Sequence, residues 1–179
     1  MEILKLNGKS FTPYLTAAQI ATQVNRLAAE ISTDYEGQRP LFIAILNGSF
    51  MFASDLFKAL TIECEICFIK LASYKGTKST GQVITSIGLD ATLTNRYVIV
   101  LEDIVDTGKT LSEFLPQLAN QQPTSLKIVS LLHKPEALVY PLKIDYLGFN
   151  VPDKFLLGYG LDYDGYGRNL KEIYTLLAD

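Results

Sequence analysis

The sequence has 179 residues, 48% of them hydrophobic and 20% charged, with a formal net charge of −3. This length suits one domain, over 1–179, with a sizeable core, and the scattered lysines and arginines form no footprint for nucleic acid. The N-terminal MEILKLNGKS lacks the basic start and apolar stretch of a signal peptide. No apolar run approaches the roughly 20 residues that span a bilayer. We therefore expect a cytoplasmic protein without a nucleic-acid or membrane partner.

The first part of the chain is predicted to hold two helices around a buried strand. LTAAQIATQVNRLAAEI (15–31) repeats apolar residues at helical spacing, and Thr16 with Gln19 makes a capping box. After the chain breakers Gly37 and Pro40, LFIAIL (41–46) is a continuous apolar run, which is typical of a strand buried on both faces. SFMFASDLFKAL then predicts a second helix.

The alternation of strands and helices continues to the end of the chain. CFIKLASY (67–74) is strand-like, and KGTKSTGQ (75–82) has the composition of a mobile lid. A helix is expected from about Gly108 to Asn120, and Pro116 should end it early or kink it. Further strands are predicted at YVIVLED (97–103), LKIVSLL (126–132), IDYLGFNV (144–151) and KFLLGYG (154–160). This order indicates an α/β fold with a mainly parallel sheet flanked by helices.

Cys64 and Cys67 form a C-x-x-C pair, a spacing found in zinc and redox sites. A zinc site would need two more ligands, and the sequence has one histidine, His133. TIECEICFI alternates like a strand, on which residues three apart face opposite sides. We interpret both cysteines as ordinary strand residues.

The segment VIVLEDIVDTGKTL (98–111) carries the strongest functional signal. In such a sheet, ligands bind beyond the carboxyl ends of the strands, where Glu102 and Asp103 are predicted. The turn that follows, 106–110, would offer phosphate unpaired N–H groups and the positive end of a helix dipole. Gly108 lets the backbone approach closely. A Walker A loop is excluded because it needs a glycine five positions before Gly108, where Asp103 stands.

Carboxylates repel phosphate, so a site that contains both must bind a ligand with two chemically different ends. A 5-phosphorylated ribose fits, with its phosphate on the turn and its vicinal hydroxyls on Glu102 and Asp103, directly or through magnesium. The alternative is a purely structural turn in which Asp106 caps the helix. Two acids directly after a buried strand favour the ligand site.

This motif resembles the phosphoribosyl-diphosphate motif of the type I phosphoribosyltransferases. Three further stretches resemble the hypoxanthine-guanine branch of that family: ASY (72–74), LLHKP (131–135) and VPDKFLLGYGLDYDGYGR (151–168). The resemblance implies that family's single-domain fold, with a small base-recognition hood built from the chain ends. It also implies transfer of the phosphoribosyl group from phosphoribosyl diphosphate to N9 of hypoxanthine or guanine, giving IMP or GMP and pyrophosphate. Mg²⁺ would be the cofactor, and the protein would be a homodimer or homotetramer.

The same resemblance implies roles for the matching residues. Glu102 and Asp103 would hold the ribose hydroxyls and magnesium-bound water, and Asp106 would be the general base at purine N7. The 5-phosphate would lie on Asp106, Thr107, Gly108, Lys109 and Thr110.

On the base side, Lys134 would donate to the purine 6-oxygen, the Phe155 ring would stack on the base, and the Leu156 backbone would contact its edge. Asp162 would border the base and ligate a second magnesium. Arg168 would hold pyrophosphate, while Ser73 and Tyr74 would close over the reaction.

One position departs from the family pattern, in the pyrophosphate loop. Where the family often has Leu-Lys-Gly, this chain has Leu46-Asn47-Gly48. Asparagine donates a hydrogen bond but brings no charge, so pyrophosphate would depend more on magnesium, Arg168 and backbone N–H groups. The resemblance leaves open the unusual peptide geometry before this position. It also leaves open a preference for xanthine or another base, and a non-catalytic regulator that binds nucleotide or RNA.

Overall fold

The computed structural model describes residues 3–72, 84–87, 89 and 91–177. The strands are β1 (Leu4–Leu6), β2 (Lys9–Leu15), β3 (Leu41–Leu46), β4 (Glu65–Ala72), β5 (Ile84–Ile87), β6 (Tyr97–Val105), β7 (Ser125–His133), β8 (Tyr146–Asn150), β9 (Leu156–Leu157) and β10 (Ile173–Leu176). The helices are α1 (Ala17–Asp34), α2 (Phe50–Ala59) and α3 (Lys109–Ala119).

The larger sheet has the strand order β5-β4-β3-β6-β7-β8 and is parallel except for its edge strand β5. Successive residues of β3 alternate between two apolar cores. Phe42 and Ala44 pack with helices α1 and α2, and Leu41 and Ile43 pack with α3. Helices therefore cover both faces, which is why β3 is apolar throughout. The predicted α/β fold with a mainly parallel sheet is confirmed.

A smaller antiparallel sheet, in the order β1-β2-β10-β9, joins the two ends of the chain. Asn7 and Gly8 connect β1 to β2 with positive φ angles of 47° and 74°, as a two-residue hairpin turn requires. Strand β10 lies between this hairpin and β9. The hood expected from the chain ends is therefore present.

Helix α1 has the predicted capping box at Thr16 but continues to Asp34 rather than residue 31. Helix α3 matches its predicted extent from about Gly108 to Asn120, since it covers Lys109–Ala119 with those two residues as its caps. It continues past Pro116, so the expected early end is wrong. Proline cannot donate a hydrogen bond to the carbonyl one turn earlier, but the helix is held by its buried face of Leu111, Phe114 and Leu118. None of the described helices is long and apolar enough to cross a membrane.

Cys67 is a residue of strand β4, as predicted, whereas Cys64 directly precedes that strand and is not part of it. Cys64 packs against the core beneath α1 and α2, and Cys67 packs against the core beneath α3. Both are free thiols.

Candidate active site

Strand β6 is longer than predicted, and this changes how its acids are placed. It continues to Val105, which pairs with His133 of β7. Glu102 and Asp103 therefore lie inside the strand and not at its end, a correction to the prediction. Because neighbouring strand residues face opposite sides, Glu102 lines one cavity and Asp103 lines a second.

The first cavity, of about 260 Å³, is formed around the turn between β6 and α3. The turn and first helical residues that line it are Asp106, Thr107, Gly108, Lys109, Thr110 and Leu111. The first N–H groups of a helix have no carbonyl partner within the helix and lie at the positive end of its dipole. The cavity therefore has the properties of an anion site, with the Glu102 carboxylate on its wall.

The segment 138–142 packs against Gly108. The φ of Gly108 is 78°, and an added Cβ would lie 2.5 Å from the Tyr140 carbonyl oxygen. The N–H groups of Val139 and Tyr140 both donate to the Thr107 carbonyl at 3.0 Å. Glycine at position 108 is thus required by its left-handed backbone and by this packing.

The second cavity, of about 360 Å³, adjoins the first, since Ile104 and Asp106 line both. It brings together predicted residues that are far apart in the sequence: Asn47, Gly48, Asp103, Lys134, Phe155, Leu156, Asp162 and Arg168. Asn47, Gly48 and Lys134 follow the carboxyl ends of β3 and β7, where ligands bind in such sheets. The residues from Phe155 to Arg168 come from the segment that includes hood strand β9.

Lys134 and Asp106 meet at the junction of the two cavities. Lys134 Nζ donates to Asp106 Oδ2 at 3.0 Å and to Asp153 Oδ1 at 3.2 Å. The residue that caps α3 is Gly108, so the alternative role of Asp106 as a helix cap is wrong. The Lys134 side chain is only 10% exposed. An ammonium has three donors, and two of them point to these carboxylates.

Phe155 presents an aromatic ring to the second cavity. The residue is 43% exposed, and its ring centroid lies 6.4 Å from that of Phe11 and 5.7 Å from that of Tyr163. The backbone of the next residue, Leu156, is fixed in β9 by pairing with Thr175 of β10. The hood therefore supports a partly open ring beside a fixed backbone edge.

Arg168 and Asp162 form the far wall of the second cavity. Asp162 Oδ1 pairs with Arg168 Nη2 at 2.6 Å, and Asp162 Oδ2 accepts the Gly165 N–H at 2.7 Å. Arg168 Nη1 also donates to the Gly160 carbonyl at 2.7 Å. Both carboxylate oxygens of Asp162 are thus engaged within the chain.

The loop after β3 approaches both the acid pair and the hood. The peptide bond between Leu46 and Asn47 is cis. A Cβ on Gly48 would lie 1.6 Å from Asp103 Oδ2, and a Cβ on Gly160 would lie 1.9 Å from the Gly48 carbonyl oxygen. Glycine at both positions allows this three-way contact.

Burial governs the electrostatics of Glu102 and Asp103, which are 8% and 9% exposed. Burial raises the pKa of Glu102 well above its ordinary value, and the charge of Asp103 raises it further. Burial also raises the pKa of Asp103, against the lowering effects of a hydrogen bond to Glu102, backbone N–H groups and Arg168. Burial disfavours the charged forms of these two neighbouring carboxylates, and a nearby cation would stabilise those forms.

Known proteins share the sequence pattern and the fold of this chain. The model of the phosphoribosyl transferase domain family matches residues 11–164. The chain belongs to the phosphoribosyltransferase family. It is 38% identical to a hypoxanthine-guanine phosphoribosyltransferase of Lactococcus lactis, over 88% of this chain and 86% of that protein. It is 37% identical to the one of Aquifex aeolicus, over 96% and 98%. A crystal structure of a Staphylococcus aureus hypoxanthine phosphoribosyltransferase superposes with a TM-score of 0.88 at 38% identity, covering 93% of this chain and 91% of that one.

Two parts of the predicted phosphoribosyltransferase site were not found among the described residues. Ser73, Tyr74 and the segment 75–82 predicted as a lid lie outside them. The described residues also contain no cluster of three or more His, Cys, Asp or Glu that could hold a metal. The Glu102–Asp103 pair and Asp162 remain as separate carboxylate sites.

The sequence reasoning missed several residues that shape the site. Asp153 holds Lys134, and its position just before the predicted base-reading ring was an available signal. Tyr159 donates to Asp55 Oδ2 at 2.8 Å and ties the hood segment to α2. Phe11 reaches Phe155 from the N-terminal hairpin, and no local pattern predicts that contact.

Proposed function

We propose that the chain transfers the 5-phosphoribosyl group from phosphoribosyl diphosphate to N9 of hypoxanthine or guanine, giving IMP or GMP and pyrophosphate. The observation that carries the proposal is the pair of adjoining cavities that meet at Asp106. One has the properties of a phosphate site, and the other combines a buried ammonium with an open aromatic ring. The names of the relatives support the choice of substrates.

On the sugar side, the N–H groups at the start of α3 bind the 5-phosphate, helped by the hydroxyls of Thr107 and Thr110. Glu102 and Asp103 accept hydrogen bonds from the ribose hydroxyls. Cleavage of the bond at ribose C1 builds positive charge on the sugar, and the nearby carboxylates stabilise that charge.

On the base side, Asp106 accepts the proton from purine N7 as N9 attacks the sugar. Lys134 donates its third hydrogen to the purine 6-oxygen, while Phe155 stacks on the ring. Asp106 lines both cavities. This position suits a general base, because the base must act where the purine in one cavity meets the sugar in the other.

The donor set fits Mg²⁺, which prefers oxygen ligands and bridges phosphates. Glu102 and Asp103 would hold it through bound water, and Asp162 would hold a second ion. When bound, magnesium neutralises charge on the pyrophosphate leaving group. Within the chain, Arg168 and the N–H groups of Asn47 and Gly48 bind pyrophosphate, and Asn47 adds no charge there.

The close packing of Gly160 on the Gly48 carbonyl supports a single domain for hood and sheet. The resemblance to the family supports a homodimer or homotetramer in the cytoplasm.

Turnover of Asp106→Asn tests the proposal. The wild type should convert hypoxanthine and phosphoribosyl diphosphate to IMP in the presence of magnesium. The variant should turn over about 10²–10⁴-fold more slowly, the usual share of acid–base catalysis, while its affinity for phosphoribosyl diphosphate changes much less. Asp164→Asn makes the same chemical change at an exposed residue outside both cavity linings and should leave turnover unchanged. Near-wild-type turnover of Asp106→Asn would remove Asp106 from the chemistry.

A further inference from the structure

Lys134 Nζ lies between two carboxylates that belong to different parts of the fold. Asp106 Oδ2, at 3.0 Å, comes from the turn after β6. Asp153 Oδ1, at 3.2 Å, comes from the segment that leads into Phe155 and β9. Because the Lys134 side chain is 10% exposed, these carboxylates take the place of water around its ammonium.

Asp106 and Lys134 cannot remain an isolated pair during the proposed reaction. Asp106 must accept from purine N7 while Lys134 donates to the 6-oxygen. A charge-assisted hydrogen bond between them is strong. A lysine paired with Asp106 alone would therefore occupy the carboxylate that must accept the hydrogen bond of purine N7. The second carboxylate, Asp153, draws the ammonium away from Asp106 and satisfies a second donor.

We propose that Asp153 is a positioning residue that holds the Lys134 ammonium for the purine 6-oxygen and thereby sets selectivity for 6-oxopurines. The inference rests on the proposed function and deepens it. Asp153 lies outside the residues that line the two cavities, so it acts through Lys134. Its position two residues before Phe155 couples the ammonium to the segment that carries the stacking ring.

The test starts from Asp153→Asn, which keeps the size of the side chain and removes its charge. The KM for hypoxanthine should rise about 10-fold, the range expected when a hydrogen bond to a charged group is weakened. The kcat at saturating hypoxanthine and the KM for phosphoribosyl diphosphate should stay within about twofold of the wild-type values. The reason is that the lost interaction stabilises bound hypoxanthine equally in the ground state and the transition state. Discrimination against adenine should weaken, and Asp153→Glu should restore both the KM and the discrimination.

Two controls separate positioning from a general effect of charge or folding. Glu136→Gln removes one negative charge close to Lys134 in sequence, at a residue for which the described structure shows no hydrogen bond or ion pair. It should leave the KM for hypoxanthine unchanged. In a Lys134→Ala background, Asp153→Asn should raise the KM no further, because the coupled partner is gone. Asp153 is 59% exposed, so chemical denaturation should show little change in stability.

An unchanged KM for hypoxanthine in Asp153→Asn would overturn the inference. An equal rise in KM in the Lys134→Ala background would also overturn it, because a merely structural residue would act in both backgrounds. If Asp153→Asn does not fold, Asp153→Ser enters the same cycle and is judged by the same outcomes. A wild type that makes no IMP overturns the proposed function itself, and this result is seen before any variant is compared.

Discussion

The turn at Gly108 allows two costs of replacing a glycine to be separated by experiment. Gly108 has a φ of 78°, and an added Cβ would lie 2.5 Å from the Tyr140 carbonyl oxygen and 3.0 Å from Leu138 Cδ1. Gly37, after helix α1, has a φ of 72°, and nothing lies within 4 Å of its added Cβ. Alanine at either position must adopt the unfavourable left-handed backbone conformation. Only at position 108 would its Cβ also collide with the Tyr140 carbonyl oxygen.

The expected losses of stability follow from these two costs. An L-residue in the left-handed region costs about 1–2 kcal/mol, so Gly37→Ala should lower the free energy of unfolding by about that much. Overpacking against fixed neighbours adds about 1–3 kcal/mol, so Gly108→Ala should lower it by about 2–5 kcal/mol. In a chain of this size, each kcal/mol lowers Tm by about 2–4 °C.

Ligand affinity should distinguish the two variants more clearly than stability. Relief of the collision at Gly108 must move either the turn or the segment that bonds to the Thr107 carbonyl. Both movements misalign the N–H groups that bind phosphate. Gly108→Ala should therefore bind IMP at least about 10-fold more weakly, a loss of about 1.4 kcal/mol, while Gly37→Ala binds it as the wild type does.

Urea denaturation gives the free energies of unfolding, and titration calorimetry on folded protein gives the IMP affinities. Equal losses of stability in the two variants, together with wild-type IMP affinity in Gly108→Ala, would contradict the argument. The segment 138–142 would then have no part in holding the phosphate turn.

Three further predictions concern the base, the metal and the acid pair. Lys134→Ala should lose the preference for hypoxanthine over adenine, which can reach about 10⁴-fold in sites that read a specific polar group. Competing-base assays measure this preference, and a wild type that uses adenine as readily as hypoxanthine would refute the assignment. Excess chelator should abolish activity, and Asp162→Ala should raise the magnesium needed for half-maximal rate; Asp162→Asn, which keeps an acceptor for the Gly165 N–H, controls for loop disorder. Full activity in chelator would contradict the role of magnesium. Without metal, Glu102→Gln should unfold at a higher temperature than the wild type at neutral pH, and the difference should shrink as the pH falls. The folded pKa of Glu102 is raised, so its contribution to stability is lost as pH rises through that pKa. A lower Tm for the variant at neutral pH would show that the buried carboxylate stabilises the fold.

The sheet could be predicted because its strands carry strong local signals. Strand β3 matches the predicted LFIAIL (41–46) residue for residue, since a strand covered on both faces is apolar at each position. Among the hood strands, β9 lies within the predicted strand KFLLGYG (154–160), whereas β1, β2 and β10 have no predicted counterpart. A signal was present at Asn7-Gly8, the strongest short-range indicator of a hairpin. Strand β10 had no such signal, because its place between β2 and β9 is set by tertiary pairing.

The parts of the site that could be predicted are those whose functional residues are adjacent in the sequence. The turn 106–110 and the acids before it stand together in the sequence, so their proximity followed directly. The pairing of Lys134 with Asp153 joins residues 19 positions apart, and that of Tyr159 with Asp55 joins residues 104 apart. Such contacts depend on how the hood meets the sheet, which no local periodicity encodes.

The acid pair in β6 links the stability of the fold to its chemistry. Glu102 and Asp103 follow five residues of a strand whose apolar members are buried, so the sheet itself carries the carboxylates out of water. Folding alone gives no reason to desolvate two adjacent acids, since apolar residues of similar size would be neutral or stabilising there. Backbone N–H groups and Arg168 offset part of this cost at Asp103, and a cation or hydrogen-bond donors in the two cavities would offset more of it. Because the pair lies beside a phosphate turn, the ligand-bound protein gains more stability from β6 than the ligand-free protein does. The acids of β6 thus serve binding and lower the stability of the ligand-free fold.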